Sequence, residues 1–142
     1  MIPANQGPSL TIAYDTIGLG GGYTNRPDQY AKTHYINTRN KWFDTSRYGA
    51  PVPVWLGGPN QGFGNAGKDT IVGPSRVNFT TSLYKSFAMT ERAHIELRFE
   101  SFNTFNHTQY NNVNISYGAA QFGQVTSAWD ARKLELGGKF VF

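Results

Sequence analysis

The sequence predicts an all-β protein of antiparallel strands joined by long irregular loops, and two observations support this. Aromatic residues make up 15% of the 142 residues and charged residues only 15%, whereas a soluble domain usually has about 25% charged residues. The part of the chain after residue 75 contains no proline and shows segments in which apolar and polar residues alternate. Such alternation places one kind of side chain on each face of a strand.

Residues 1–75 are predicted to be a loop-like region with little regular structure. All seven prolines and most of the glycines lie in this region, and both residue types interrupt helices and central strands. Short strands are expected at Leu10–Tyr14 and Thr33–Ile36. One helical turn is expected in "NKWFDTSRY", with Asp44 or Thr45 as its cap.

Residues 76–142 are predicted to form three antiparallel strands at about 77–87, 93–105 and 132–142. In the second of these, Ile95, Leu97 and Phe99 alternate with charged residues, and the last ten residues, "KLELGGKFVF", repeat the pattern. The segment "AMTERA" is expected to be a tight turn between the first two strands. A long connection precedes the third strand.

Four features of these strands favour a transmembrane β-barrel. Two strands have the 10 or 11 residues that a tilted strand needs to cross a bilayer, and the middle one reaches this length through Phe105. Short turns alternate with long loops, and aromatic residues gather at the strand ends. Lys85 lies on the apolar parity, where its ammonium can snorkel to the interface. The opposite parity carries charges suited to a wet lumen, namely Glu96, Arg98, Glu100, Lys133, Glu135 and Lys139.

If the last two strands pair, opposite charges on neighbouring strands are expected to stabilise the register by about 0.2–1 kcal/mol per pair. Three strands cannot close a barrel, because open edges in lipid leave backbone groups unpaired. The strands are therefore expected to join the rest of a longer barrel or copies of the same chain.

Two other architectures fit the alternation. One is a self-assembling extracellular β-rich structural protein, whose strand edges pair between copies. The other is a soluble carbohydrate-binding β-sandwich, in which a second sheet covers the apolar face. A β-sandwich predicts that the apolar face is covered by a second sheet, whereas a barrel wall predicts that it is exposed to lipid.

The sequence gives no sign of enzymatic, metal or cofactor chemistry. The three histidines are far apart, and cysteine is absent. "GLGGGY" (18–23) lacks the spacing of a phosphate-binding loop. The basic residues are scattered, so no nucleic-acid partner is expected. No run of about 18 apolar residues and no signal peptide is present, so an export signal is expected in sequence outside this chain.

Aromatic side chains in the loops are candidates for contact with a sugar or peptide ligand. The alternative is that they pack the loops against themselves. These aromatics are Trp42, Phe43, Trp55, Tyr110 and Tyr117.

Five segments occur in the order found in one family: "KWFDTSRYGAP" (41–51), "FGNAGKDTIVGPS" (63–75), "LYKSFAMTER" (83–92), "LRFESFNTFNHTQY" (97–110) and "FGQVTSAWDARKLELGGKFVF" (122–142). With them the chain resembles the C-terminal end of Oar-like TonB-dependent receptors, outer-membrane proteins that are especially numerous in Acidobacteria. Residues 1–40 match only in loop-like character.

The resemblance implies the final strands of a barrel of about 22 strands that is plugged by an N-terminal domain, so the chain is interpreted as a C-terminal fragment located in the outer membrane. It implies a periplasmic C-terminus, with Phe140 and Phe142 as the signal for the barrel-assembly machinery. Residues 88–93 would be a periplasmic turn, while residues 106–130 and most of 1–75 would be extracellular. The implied role is to supply wall strands and external loops for uptake of a ligand, in contact with outer-membrane lipid.

Overall fold

The computed structural model of the protein describes residues 7–14, 25–52, 56–58 and 62–142. The glycine-rich stretch 18–23 and Trp55 lie outside these ranges. Within these ranges, no helix has the length and apolar character needed to cross a membrane.

Strands dominate the regular structure and fall into two compact units. One unit comprises residues 1–76 and 110–128, and the other comprises residues 77–109 and 129–142. We call them the loop-rich unit and the sheet unit. The strands are β1 (Ser9–Leu10), β2 (Ala13–Tyr14), β3 (Asp28–Gln29), β4 (Tyr48–Gly49), β5 (Ile71–Val72), β6 (Thr80–Ala88), β7 (His94–Phe102), β8 (Tyr110–Val113), β9 (Ser116–Tyr117), β10 (Val125–Ala128) and β11 (Lys133–Val141).

The sheet unit is built on three antiparallel strands of nine residues each, with β7 between β6 and β11. The register is continuous along both pairs of strands. Nine residues lie at the lower end of the length that a tilted strand needs to cross a bilayer, about 9–11 residues. The prediction of antiparallel strands with long irregular loops is confirmed.

Apolar side chains on one side of this sheet are exposed. We call this side the apolar face, and it carries Leu83, Lys85, Phe87, Ile95, Leu97, Phe99, Leu134, Leu136, Gly138 and Phe140. Leu136 is 79% exposed, Leu83 is 65% exposed and Phe140 is 55% exposed. Within the sheet unit, the described residues form this one sheet and no second sheet that would make a β-sandwich.

The turn between β6 and β7 is short and closed by its own hydrogen bonds. The backbone N–H groups of Met89 and Thr90 donate to the carbonyl oxygen of Ala93, at 2.9 and 3.1 Å. The Thr90 hydroxyl accepts from the Ala93 N–H at 3.0 Å. These bonds form in the tight turn predicted from "AMTERA", and they fix the pairing of β6 with β7.

At the other end of the sheet, Asn103 ends β7. Its backbone adopts φ 51°, in the left-handed region that Asn tolerates better than most residues. Its amide nitrogen donates to the carbonyl oxygens of His107 (3.2 Å) and Asp130 (3.3 Å), and its amide oxygen accepts from the His107 N–H at 3.2 Å. Asn103 thus joins the exit from β7 to the entry into β11.

Replacement of Asn103 separates its two contributions. We expect Asn103→Gly to lower the free energy of unfolding by about 1–2 kcal/mol, because it removes the side-chain hydrogen bonds but keeps the backbone conformation. Asn103→Ala should cost about 1 kcal/mol more, because alanine disfavours positive φ. Urea unfolding of the purified protein in detergent micelles measures both. Equal stability of the two variants would show that the backbone conformation carries no cost.

Most strands of the loop-rich unit form pairs of two to four residues. The pairs β1–β5, β3–β4 and β8–β10 are antiparallel, whereas β2 pairs with β9 in the parallel direction. Pairs this short provide few hydrogen bonds each, so the packing of side chains must supply most of the stability.

The core of the loop-rich unit combines aromatic rings with aliphatic side chains. Phe43 is fully buried, and its ring packs edge-on against Tyr48 (centroids 5.8 Å apart) and Phe122 (5.4 Å apart). Burial raises the pKa of the Tyr48 hydroxyl, which shares a 2.8 Å hydrogen bond with Thr33 Oγ1. The buried core residues are Ile12, Phe43, Tyr48, Ile71 and Val113.

The helical turn expected in the loop-like half is present as a 3₁₀ turn at Thr45–Arg47. Its cap is Asp44, one of the two residues predicted for this role, and the carboxylate accepts from the Ser46 hydroxyl at 2.9 Å and from the Ser46 N–H at 3.4 Å. The Lys41 ammonium lies 3.2 Å from the same carboxylate, and Arg47 Nε lies 3.3 Å from its other oxygen.

These contacts make the stability of this segment dependent on pH. The Ser46 hydroxyl, followed by Lys41, lowers the pKa of Asp44 from 3.8 to about 2. The stabilisation is therefore complete above the unfolded-state value of 3.8 and is lost as pH falls toward 2. We expect hydrogen exchange of residues 44–48 to accelerate between pH 4 and pH 2 relative to Asp44→Asn, after correction for intrinsic rates. Parallel behaviour of both proteins would exclude Asp44 as the cause.

Candidate functional site

The charged residues predicted for the lumen lie together on the side of the sheet opposite the apolar face. We call this side the polar face, and the strand register gives its arrangement. Glu96 lies between Ser86 and Lys139, Arg98 lies between Tyr84 and Gly137, and Glu100 lies between Ser82 and Glu135. Lys133 is opposite Phe102.

The register differs from the expected ladder of opposite charges. Glu96 and Lys139 are an opposite pair, but Glu100 lies directly across from Glu135, an arrangement that is unfavourable by itself. The Glu100 carboxylate is instead compensated by Arg98 on its own strand, whose Nε donates to it at 3.1 Å. Ser82 Oγ donates to the same oxygen at 3.3 Å. Contacts along the strand therefore neutralise the charge where cross-strand pairs were expected.

A hollow of about 530 Å³ opens on the polar face beside Gly137. Gly137 lies opposite Arg98 and has no side chain, and a Cβ there would meet only Arg98 atoms at 3.9–4.0 Å. Tyr84, Glu96 and Lys139 also line the hollow. Because Arg98 is already paired with Glu100, Lys139 and Glu96 are the charges that remain beside this open space, which suits contact with water or with another polar group.

The loop aromatics occupy two different environments. Trp42 and Tyr110 meet edge to face, with centroids 6.3 Å apart. Tyr117 packs on Phe122 at 5.4 Å and belongs to the margin of the core. Phe43, which the sequence placed among the ligand-contacting candidates, has no exposed surface, because its ring fills the core instead.

Trp42 also lines a groove of about 410 Å³ in the loop-rich unit. Its indole N–H donates to the Val72 carbonyl at 2.9 Å, and the Val72 N–H donates to the Tyr35 hydroxyl at 2.8 Å. These bonds hold both rings against β5. Asn37 and Ser75 add polar groups to the groove, and none of the described residues that line it is charged.

Phe140 and Phe142, the predicted barrel-assembly signal, stack with their centroids 5.7 Å apart. Phe142 is 93% exposed. Recognition of this pair by the assembly machinery stays a prediction.

Sequence reasoning missed the groove residues Tyr35, Asn37 and Ser75 and the hollow at Gly137. A usable signal existed only for the hollow, because paired glycines inside a strand often mark a site that a ligand or a second backbone approaches closely. Among the described residues, no cluster of three or more His, Asp or Glu side chains could hold a metal ion.

Comparison with known protein families identifies the class of protein. Residues 2–135 match the family model described as an outer membrane beta barrel domain. The chain therefore belongs to the outer membrane beta barrel domain family, and the outer membrane is its location. Neither the comparison with curated proteins nor the comparison with solved structures finds a match.

Proposed function

We propose that the chain supplies wall strands and external loops to a TonB-dependent receptor-like barrel that takes up a ligand across the outer membrane. The observation that carries this proposal is the division of the sheet unit into an exposed apolar face and a charged polar face. In a barrel wall the first faces lipid and the second faces a wet lumen. The role is binding and passage, without covalent chemistry.

The receptor class is supported by the five segments that resemble Oar-like receptors. The loops would contribute contacts to the ligand, and the groove beside Trp42 is the most suitable place. An aromatic ring next to amide and hydroxyl groups, with no charge among the described lining residues, suits a neutral polar ligand such as a sugar.

The orientation of the sheet can be tested by cysteine labelling, because the chain contains no cysteine of its own. We expect Leu83→Cys and Leu136→Cys to resist a membrane-impermeant maleimide in outer-membrane vesicles and to react with a lipid-soluble one. Ser82→Cys and Glu135→Cys, their neighbours on the polar face, should react with the water-soluble reagent in permeabilised vesicles. Equal labelling of both sets by the water-soluble reagent would contradict a barrel wall.

The receptor class needs a separate test in the native bacterium. Deletion of this gene and deletion of the energy-transducing TonB protein should abolish growth on the same nutrient, in a panel of ferric chelates and plant oligosaccharides. A nutrient defect that follows loss of this gene but not loss of TonB would indicate passive diffusion. The cysteine labelling would remain valid in that case.

One observation favours a second candidate, self-assembly of this chain. The outer edges of β6 and β11 have no partner strand among the described residues, and unpaired edges are templates for pairing with another chain. Mass determination of the complex extracted from outer membranes decides between the two. Several copies of this chain alone would indicate self-assembly, whereas one copy within a larger barrel would support the receptor.

A further inference from the structure

One charged side chain interrupts the apolar face. The register places Lys85 on β6 opposite Leu97 on β7, which in turn lies opposite Gly138 on β11. The neighbouring rows across the three strands are wholly apolar, consisting of Leu83, Phe99 and Leu136 on one side and Phe87, Ile95 and Phe140 on the other.

The Lys85 side chain runs toward the short turn. Its Nζ lies 5.8 Å from the centroid of the Phe87 ring, and Phe87 is two residues closer to the turn on the same face. A cation over an aromatic ring is attracted to the ring electrons. This contact therefore directs the Lys85 ammonium along the strand toward the β6–β7 turn.

The position along β6 brings the charge to the edge of the membrane hydrocarbon. β6 ends at Ala88, so the Lys85 Cα lies about 10 Å from the strand end at about 3.3 Å per residue. In a strand tilted by about 45°, that length corresponds to a depth of about 7 Å along the bilayer normal. A lysine stem covers much of this depth and keeps its ammonium at the interface.

No carboxylate of the described residues lies within ion-pair distance of the Lys85 ammonium. The three strands carry no Asp or Glu on the apolar face. The acidic residue nearest to Lys85 in the sequence is Glu91, in the turn. The apolar face itself therefore offers this ammonium no carboxylate among the described residues, which leaves it open to an anion in the surroundings of the barrel.

We propose that the Lys85 ammonium, held over the Phe87 ring, binds the phosphate of a phospholipid headgroup in the leaflet next to the β6–β7 turn. The outer-membrane location supplies the lipid, and charge complementarity selects the phosphate. The inference rests on the proposed function in one respect, which is that the apolar face contacts lipid.

Solid-state NMR can detect this contact directly. The protein is purified from outer membranes in the assembly that it forms there, labelled with ¹⁵N-lysine, and placed in bilayers of phosphatidylethanolamine and phosphatidylglycerol in phosphate-free buffer. We expect ³¹P to dephase an ammonium signal that Lys85→Gln removes and that Lys139→Gln, on the polar face, leaves in place. Retention of phosphatidylglycerol during delipidation should fall about fivefold in Lys85→Gln only.

Two further arms identify the source of the anion. Inorganic phosphate added to the protein in a phosphorus-free maltoside detergent should give no dephasing, and dephasing there would overturn the headgroup assignment in favour of free phosphate. A contact between the Lys85 ammonium and a carboxyl carbon, without a ³¹P contact, would overturn the proposal in favour of a protein partner such as Glu91.

A second variant that keeps the positive charge makes the test possible even if the first variant does not assemble. If Lys85→Gln does not assemble, Lys85→Arg labelled in its guanidinium must show the ³¹P contact, and its absence would overturn the proposal. Cysteine labelling at Leu83 and Leu136 reports on the lipid-facing side independently. Lipid-soluble labelling there without a ³¹P contact at Lys85 would reject this inference alone.

Discussion

Substitution of Leu136 by arginine is expected to destabilise the assembled protein by about 2–4 kcal/mol, the cost of a cation on the lipid-facing side of a barrel near the bilayer midplane. Leu136 is the fourth of the nine residues of β11 and is 79% exposed. In water, a substitution at such an exposed position would change the stability by less than about 0.5 kcal/mol. The size of the loss in stability therefore shows whether lipid or water surrounds the apolar face.

The adjacent residue provides the matched control. Glu135→Arg places the same side chain on the polar face, opposite Glu100, where it would replace a like-charge pair by an opposite pair and gain about 0.2–1 kcal/mol. Urea unfolding of both variants in phospholipid vesicles measures the difference. Equal stability of Leu136→Arg and the unmodified protein would show that this face does not contact lipid.

The sheet unit could be predicted because its signal is local. Alternation along β7 and β11 assigns each side chain to a face without knowledge of the partner strand. The end of β7 was placed too late, at residue 105, because Phe105 falls on the same parity as Ile95, Leu97 and Phe99, whereas Asn103 already turns the backbone to φ 51°. One of the hydrogen bonds of the Asn103 side chain joins it to Asp130, which is distant in sequence.

The odd or even position of each charged residue along its strand predicts the face on which it lies. It does not predict which residue lies opposite on the next strand. A connection of 30 residues joins β7 to β11, so no turn geometry fixes that register in advance. The opposition of Glu100 and Glu135 is a consequence of that register. Its compensation by Arg98, two residues away on the same strand, became evident only from the structure.

In the loop-rich unit, by contrast, only the local turn could be predicted from the sequence, and the core could not. Its cap at Asp44 was predictable, because the bond to Ser46 spans two residues. Its core was not, because strands of two residues pair across long separations, as in β1 with β5. The neighbours Trp42 and Phe43 look equivalent in the sequence, yet one lines a groove and the other is fully buried.

Truncation of Phe43 is expected to cause the largest loss of stability in the loop-rich unit. Its ring has no exposed surface and packs against Tyr48 and Phe122. Phe43→Ala removes these contacts and leaves a cavity, at a cost of about 3–5 kcal/mol. Because the sheet unit does not contain Phe43, the barrel strands should still assemble.

Hydrogen exchange followed by mass spectrometry can resolve the two units. Peptides covering residues 33–48 and 110–125 should lose protection in Phe43→Ala, while peptides from β6, β7 and β11 keep theirs. Phe63→Ala is the control, because Phe63 belongs to the same unit but is 53% exposed, and its truncation should change little. Unchanged protection of residues 33–48 in Phe43→Ala would show that these aromatic contacts do not hold the unit together.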